Sequence, residues 1–200
     1  MYLIGEFAPK KSILWHAGAS SVSIAGIQLS KADNASKIYV TAGSQEKIDF
    51  CVKELGATAG FNYHNQDWSK EVLKATDGKG VDVIIDYIGQ SYFQGNLDAA
   101  ARDGRIVNLG LMSGTKLPAG VDIGAFLMKR IRFEGSSLRS RDEDYQGKLR
   151  DTLADHALPK MRDGSFKIFV EKVYPMEEIV EAHKLMETNT TKGKIICTVG

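Results

Sequence analysis

The sequence contains little that could bind a structural metal or form a disulfide framework. Of its 200 residues only two are cysteines, Cys51 and Cys197, and they lie far apart. Two such cysteines exclude a small disulfide-stapled scaffold. No histidine stands at ligand spacing from another histidine or from a cysteine, so we expect no metal site. The four histidines are His16, His64, His156 and His183.

Long apolar runs and a charge of one sign are also missing. The formal net charge is +1, which gives no electrostatic reason to expect a nucleic acid or an anionic membrane as partner. No run reaches membrane-spanning length, and the segment MYLIGEFAPKKS lacks the apolar core of a signal peptide. A cytoplasmic globular protein is therefore expected. Its length suits one domain plus part of another.

What the sequence does contain is an alternation of strand and helix patterns. Predicted strands at 12–16, 38–41, 60–63, 81–89, 105–112 and 131–138 are separated by helical patterns. Such alternation predicts βαβ units, and near-continuous apolar strands predict burial on both faces. The expected fold is α/β, a doubly wound Rossmann sheet. Gly104 is expected to end a helix that precedes the strand at 105–112.

The pattern changes after residue 141. An amphipathic helix, the alternating stretch FKIFVEKVYP, another helix and the terminal stretch GKIICTVG follow. We predict two units: a nucleotide-binding domain at 11–141 and an α+β segment at 142–200.

The stretch SILWHAGASSVSIAGIQLSKA, residues 12–32, reads as a strand, a tight turn and a helix. In a dinucleotide-binding turn three glycines make the turn, let the backbone approach the pyrophosphate, and allow close helix packing. Gly18 occupies the first of these positions, while Ser20 and Ser23 occupy the second and third. Serine can donate to a phosphate or cap the helix. An ordinary strand–turn–helix with capping serines is the alternative.

The second strand ends in TAGSQEK, without the carboxylate that would bind the ribose 2′-hydroxyl of NAD. Thr41, Gly43, Ser44 and Lys47 offer hydroxyls, amides and a cation instead, which suits the 2′-phosphate of NADP. The alternative is that Ser44 is simply a helix cap and Lys47 a solvated side chain.

Seven segments in order resemble the zinc-free, zeta-crystallin-like quinone oxidoreductases of the medium-chain dehydrogenase/reductase family. They are WHAGASSVSIAGIQL, TAGSQEK, LGATAGFNY, GVDVIIDYIGQSY, DGRIVNLGLMSG, SSLRSRD and EAHKLMETNTTKGKI. The resemblance implies NADPH as cofactor and two-electron reduction of quinones, enones or other activated carbonyls. The chain departs from this family at three places. The family carries glycines where Ser21 and Ser23 stand, and it often has a basic or amide residue where Thr190 and Thr191 stand. It also has an N-terminal substrate domain where about a dozen residues precede the first strand here, so the resemblance implies that residues 142–200 are the C-terminal part of an incomplete substrate domain.

The resemblance also implies site residues, carried over by position. The pyrophosphate would lie on Gly18, Ala19, Ser20, Ser21, Val22 and Ser23. The 2′-phosphate and adenosine would lie on Gly43, Ser44, Lys47 and Tyr63. The nicotinamide half would lie on Ile88, Gly89, Gly110, Leu111 and Met112, with Ser137, Leu138 and Arg139 near it on the last strand.

Other interpretations of these residues stay open. Core packing explains the apolar members equally well. Arg139 could pair with the acidic residues after it. For Asp86, we favour a strand-end carboxylate that caps a nearby amide. No residue is an obvious proton donor, so the catalytic residues are unassigned.

Two functions remain at this stage. One is an NADPH-dependent reductase present as a truncated form; the other is a Rossmann module that binds a nucleotide or a partner protein without chemistry. The strand at 131–138 should form a sheet edge and pair with a second copy in a homodimer. The apolar residues Phe166, Ile168, Ile195 and Ile196 are expected to lack sheet partners within the chain and so to need a partner or stay exposed.

Overall fold

A computed structural model describes all 200 residues, from Met1 to Gly200. The strands are β1 (Ser12–Trp15), β2 (Lys37–Ala42), β3 (Ala59–Asn62), β4 (Val81–Asp86), β5 (Ala100–Asn108), β6 (Arg132–Gly135), β7 (Val170–Pro175) and β8 (Lys194–Thr198). The helices are α1 (Ser21–Ala32), α2 (Gln45–Lys53), α3 (Trp68–Ala75), α4 (Phe93–Ala99), α5 (Gly124–Lys129), α6 (Glu143–His156), α7 (Leu158–Arg162) and α8 (Ile179–Glu187).

Six strands form one parallel sheet in the order β3-β2-β1-β4-β5-β6. This is the order of a doubly wound dinucleotide-binding fold, so the predicted α/β fold class is confirmed. The order in which successive strands are added to the sheet reverses between β1 and β4, which are hydrogen-bonded neighbours. In such sheets the crevice at the carboxyl ends of these two strands is the usual ligand site. At the far side β6 is an edge strand, as predicted.

Alternate residues of the central strands build separate cores on the two faces of the sheet. Ile13, Trp15 and Ile85 belong to one cluster of buried side chains. Leu14 and Ile84 belong to the other. Because both faces are covered by helices, the strands need apolar residues at successive positions, which explains their near-continuous apolar sequence.

Close packing of α1 on the sheet depends on Gly26. A Cβ added there would lie 2.2 Å from the Trp15 ring, so the indole occupies the space that any larger residue would need. The Trp15 Nε1–H donates to Ser30 Oγ at 3.1 Å, which holds the ring in place. Helix α1 therefore packs closely on β1 because Gly26 has no side chain and leaves room for the large Trp15 ring.

Several element boundaries differ from the predicted ones. β4 ends at Asp86 rather than 89, because the Asp86 carboxylate turns the chain by accepting from the Ile88 N–H at 2.7 Å. β5 begins at Ala100 and ends at Asn108, so Gly104 lies inside this strand instead of ending a helix. The register shift between Val81 and Val83 of the neighbouring strand accommodates this extra length.

The two C-terminal strands pair with each other. β7 and β8 pair in parallel around α8, so the expectation that these strands lack sheet partners in the chain is wrong. Phe166 is also buried, against Leu29 of α1 and Ala157, whereas Ile168 stays 68% exposed. The division at residue 141 stays a prediction. None of the helices combines the length and apolarity needed to cross a membrane.

Candidate functional site

A cleft of about 830 Å³ opens at the carboxyl ends of β1, β2 and β4, where the strand order reverses. Its walls come from the turn before α1, the end of β2, the loops after β3 and β4, and the segment joining α8 to β8. The lining includes Ser20, Lys47, Tyr63, Met112 and Lys194. The sheet topology alone makes this the expected place for a ligand.

The turn from β1 to α1 is held tightly by the backbone. Ala17 adopts a left-handed conformation with φ of 48°, and the Gly18 N–H donates to the Thr41 carbonyl at 2.9 Å. A Cβ on Gly18 would lie 2.8 Å from Val40 Cβ and 3.1 Å from Cys51 Sγ. Gly18 is therefore required because the turn approaches β2 and α2 closely.

The serines of the turn are engaged within the protein. Ser20 caps α1 by accepting from the Ser23 N–H at 3.3 Å. Ser23 is fully buried and its hydroxyl donates to the His16 carbonyl at 2.7 Å. The Val22 N–H, by contrast, donates to no group of the chain, whereas the Ser21 N–H is engaged by the isolated parallel bridge between Ser20 and Gly193. A free donor at the positive end of a 12-residue helix forms an anion-binding position.

At the end of β2 the chain presents polar groups and a cation. Ser44 caps α2 by accepting from the Lys47 N–H at 3.2 Å, as the capping interpretation predicted. The Lys47 side chain nevertheless lines the cleft, together with Gly43 and Tyr63. Burial lowers the pKa of Lys47, while the negative groups around it act in the opposite direction.

Asp86 performs the capping role favoured from the sequence. Its buried carboxylate accepts from the Ile88 N–H at 2.7 Å, the Gly89 N–H at 3.2 Å and the Asn108 side chain at 3.1 Å. These bonds shape the loop after β4, in which Gly89 has φ of 84° and Ile88 reaches the cleft. Asp86 thus fixes the backbone of the loop from which Ile88 reaches the site.

A buried histidine supports the floor of the cleft. His16 Nδ1 lies 2.9 Å from Thr41 Oγ1, and its Nε2 lies 2.7 Å from Asn96 Oδ1. Its ring meets the rings of Trp68 and Tyr92 edge-on, at centroid distances of 4.7 and 4.8 Å. Burial lowers the pKa of His16, so the imidazole is neutral near pH 7. Through these contacts it positions Tyr92, which lines the cleft.

The segment between α8 and β8 closes one side of the cleft. The Gly193 N–H donates to the Ala19 carbonyl at 3.2 Å, and Lys47 Nζ donates to the Asn189 carbonyl at 2.5 Å. Lys192 pairs with Glu46 at 2.7 Å. Sequence reasoning missed this wall, because nothing local connects residues 189–195 with a turn more than 160 residues earlier.

The structure brings part of the predicted set to the cleft. Its lining includes Ala19, Ser20, Ser21, Gly43, Lys47, Tyr63, Ile88 and Met112. Outside that lining lie Gly18, Val22, Ser23, Ser44, Gly89, Gly110, Leu111, Ser137, Leu138 and Arg139.

Three of these residues are placed differently from the expectation. Ser137, Leu138 and Arg139 do not lie on the last strand, because β6 ends at Gly135 and residues 138–140 form an exposed helical turn. Arg139 makes no ion pair, whereas Arg141 stacks on the Tyr145 ring at 4.4 Å.

The fold and the cleft together define a Rossmann unit of the kind that binds dinucleotides. Residues 21–155 match the family model described as zinc-binding dehydrogenase. The chain therefore belongs to this family, the medium-chain dehydrogenases and reductases, in the quinone oxidoreductase-like branch that its motifs resemble. The described residues contain no group of three His, Cys, Asp or Glu side chains that could hold a metal ion.

The relatives include single enzymes and modules of much larger ones. Quinone oxidoreductase 1 of Escherichia coli is 29% identical over 195 residues, which cover 94% of this chain and 57% of that protein. A phenolphthiocerol/phthiocerol polyketide synthase subunit of Mycobacterium tuberculosis is 26% identical over 98% of this chain and 9% of that protein. The chain thus spans little more than half of a single-enzyme relative.

Solved structures agree with the fold. The crystal structure of E. coli quinone oxidoreductase complexed with NADPH aligns with a TM-score of 0.79 and 27% identity, over 96% of this chain and 58% of that one. A crystal structure of an NAD-dependent alcohol dehydrogenase aligns with a TM-score of 0.80 and 31% identity, over 98% of this chain and 53% of that one. A nicotinamide cofactor is common to these two proteins.

Proposed function

We propose that this chain is the cofactor-binding part of an NADPH-dependent reductase of quinones, enones or related activated carbonyls. The observation that carries the proposal is the cleft at the strand-order reversal, with the free Val22 N–H beside it and Lys47 in its lining. Relatives named as quinone oxidoreductases support the reaction class.

The donors of the cleft fit a dinucleotide phosphate. The α1 N-terminus would bind the pyrophosphate through the free Val22 N–H, and Lys194, which makes no ion pair, would face the same charge. Lys47 would bind the 2′-phosphate after exchanging its bond to the Asn189 carbonyl. The absence of a carboxylate in TAGSQEK favours NADPH over NADH.

The nicotinamide end of the site is less polar. Ile88 and Met112 line it, and the exposed Leu111 lies next to them. When bound, the nicotinamide supplies the hydride; the work of this chain is to bind and orient it and to keep water from one of its faces. Ser137, Leu138 and Arg139 stay proposed neighbours of this end.

The proposal also includes the assembly of two copies of this chain through β6. β6 is an unpaired edge, and it carries Arg132, Glu134 and a Phe133 ring that is 38% exposed. An antiparallel pairing of two such strands at residues 131–138 would satisfy the free backbone groups and place Arg132 of one copy near Glu134 of the other. A homodimer is therefore expected.

The alternative function is a Rossmann module that binds the nucleotide and does no chemistry. It is favoured by the serines of the turn, since Ser20 and Ser23 use their hydroxyls within the protein. Both functions use the same cofactor site, but only the reductase transfers a hydride to a substrate.

Steady-state oxidation of NADPH with an ortho-quinone, measured beside a titration of NADPH into the same preparation, separates the two functions. Turnover that requires both reactants supports the reductase. Binding without turnover supports the module, and absence of both binding and turnover contradicts the proposed function.

A further inference from the structure

The end of β2 is closely surrounded by two side chains of the loop after β3. A Cβ built on Gly43 would lie 2.6 Å from the Tyr63 hydroxyl and 3.2 Å from His64 Nε2. The Tyr63 and His64 rings contact each other, with centroids 4.5 Å apart. The His64 imidazole therefore lies directly against the strand end that distinguishes the two nicotinamide cofactors.

The His64 imidazole is available to a ligand. His64 is exposed, and the hydrogen bond that it makes uses its backbone N–H, which donates to Asn62 Oδ1 at 3.0 Å. Neither ring nitrogen has a partner in the chain. An imidazole N–H here is thus a free donor beside Gly43, which lines the cleft.

The charges on neighbouring elements favour an anion at this position. Lys47 of α2 and Lys194 of β8 are the cations of the cleft lining, and Tyr63 and Tyr92 are its other titratable groups. Of the carboxylates at hand, Glu46 pairs with Lys192 at 2.7 Å and Asp67 with Lys70 at 2.9 Å, while Glu171 accepts from the backbone N–H of Lys192 at 2.9 Å. An imidazolium here would meet a second cation without compensation unless an anion lay between them.

We propose that His64 is a specificity-determining residue, which donates from Nε2 to the 2′-phosphate of the cofactor and makes the preference for NADPH over NADH depend on pH. The inference rests on the proposed function, because it needs a nicotinamide dinucleotide in the cleft. It assigns to the site a second phosphate-binding group beside Lys47.

The sign of the pH effect follows from linkage. A dianionic phosphate stabilises the protonated imidazole, so binding of NADPH takes up a proton and weakens as the pH rises. An ordinary histidine titrates near pH 6.5 and a phosphate monoester near pH 6, so the useful window is about pH 6.5 to 8.5. NADH lacks the 2′-phosphate, and its affinity should change little across this window.

The test is to measure dissociation constants of NADPH and NADH by calorimetry at about pH 6.5 and 8.5, with wild type, His64→Gln and His183→Gln. Glutamine keeps a donor without the titration. His183 is an exposed histidine on α8 and serves as the matched control. The variant His64→Gln keeps Lys47, so the difference from wild type isolates the imidazole from the titration of Lys47 and of the phosphate.

We expect the NADPH preference of wild type and His183→Gln to fall about fivefold to tenfold as the pH rises, and that of His64→Gln to change less than about twofold. If His64→Gln shows the same preference for NADPH as wild type at both pH values, the role of His64 is refuted and the proposed function stands. If wild type binds neither cofactor, both fall.

Discussion

The hydroxyl of Ser23 donates a 2.7 Å hydrogen bond to the carbonyl oxygen of His16, across the turn that joins β1 to α1. In a dinucleotide-binding turn a glycine at the Ser23 position would permit close helix packing. Here the packing is kept, and the added hydroxyl serves a buried backbone acceptor. The serine is a structural part of the turn rather than an obstacle in it.

Replacing Ser23 should therefore destabilise the protein. Ser23→Ala removes the buried bond to His16 and should lower the free energy of unfolding by about 1 kcal/mol in urea denaturation. Ser21→Ala is the matched control, because the Ser21 hydroxyl makes no hydrogen bond in the chain and should cost less than about 0.5 kcal/mol. Equal losses for both variants would contradict this account of the turn.

A second prediction concerns the packing of α1. Gly26→Ala would bring a methyl group against the Trp15 ring and should cost about 1 to 3 kcal/mol of stability. Gly147→Ala lies in the interior of α6 with nothing within 4 Å of the new Cβ, so helix propensity should stabilise it by up to about 1 kcal/mol. Thermal unfolding of the two variants should show a lower melting temperature for Gly26→Ala and a higher one for Gly147→Ala. If Gly26→Ala leaves the melting temperature unchanged, the close contact with Trp15 is refuted.

The buried imidazole of His16 predicts a loss of stability in acid. Burial lowers its pKa, so below about pH 6.5 the unfolded chain binds a proton there that the native chain does not. Stability should fall as the pH falls, by at most about 1.4 kcal/mol per pH unit from this group. Urea denaturation at several pH values should show a steeper acid slope for wild type and His183→Gln than for His16→Gln. An unchanged slope in His16→Gln would assign the loss to other groups.

Assembly can be tested through the two charges of β6. If two β6 strands pair antiparallel, Glu134→Arg places like charges opposite each other and should weaken the dimer in light scattering across a dilution series. The double variant Arg132→Glu, Glu134→Arg should restore it. Because Glu134 also lies 3.8 Å from Arg141, the variant Arg141→Gln controls for loss of that contact within the chain. A wild type that stays monomeric at micromolar concentration would contradict edge pairing.

Local patterns predicted the Rossmann strands because each carries its own signal. The apolar run of β4 and the small-residue turn after β1 needed no distant information. The start of β5 at Ala100 was missed because Gly104 resembles a helix end, whereas the ladder to Val81 decides the strand. Such a ladder is a tertiary contact that sequence periodicity does not contain.

The parts of the candidate site that lie at the carboxyl end of a strand within a βα unit could be predicted from the sequence. The turn, the end of β2 and Ile88 follow from strand–helix alternation, since parallel strands end at the same edge of the sheet. Lys194 and Asn189 could not be predicted, because their arrival at the cleft depends on how β8 pairs with β7 and on the Gly193–Ala19 contact. Those contacts join distant parts of the chain.

The central claim is that the cleft binds a nicotinamide dinucleotide through its 2′-phosphate. It is tested most directly by calorimetric titration of NADPH and NADH into wild type, Lys47→Ala and Lys53→Ala, the last being an exposed lysine paired with Asp49. The account predicts that wild type and Lys53→Ala bind NADPH about tenfold more tightly than NADH, and that Lys47→Ala loses most of this preference while keeping its affinity for NADH. Equal affinities for the two cofactors in wild type, or no binding of either, would contradict it.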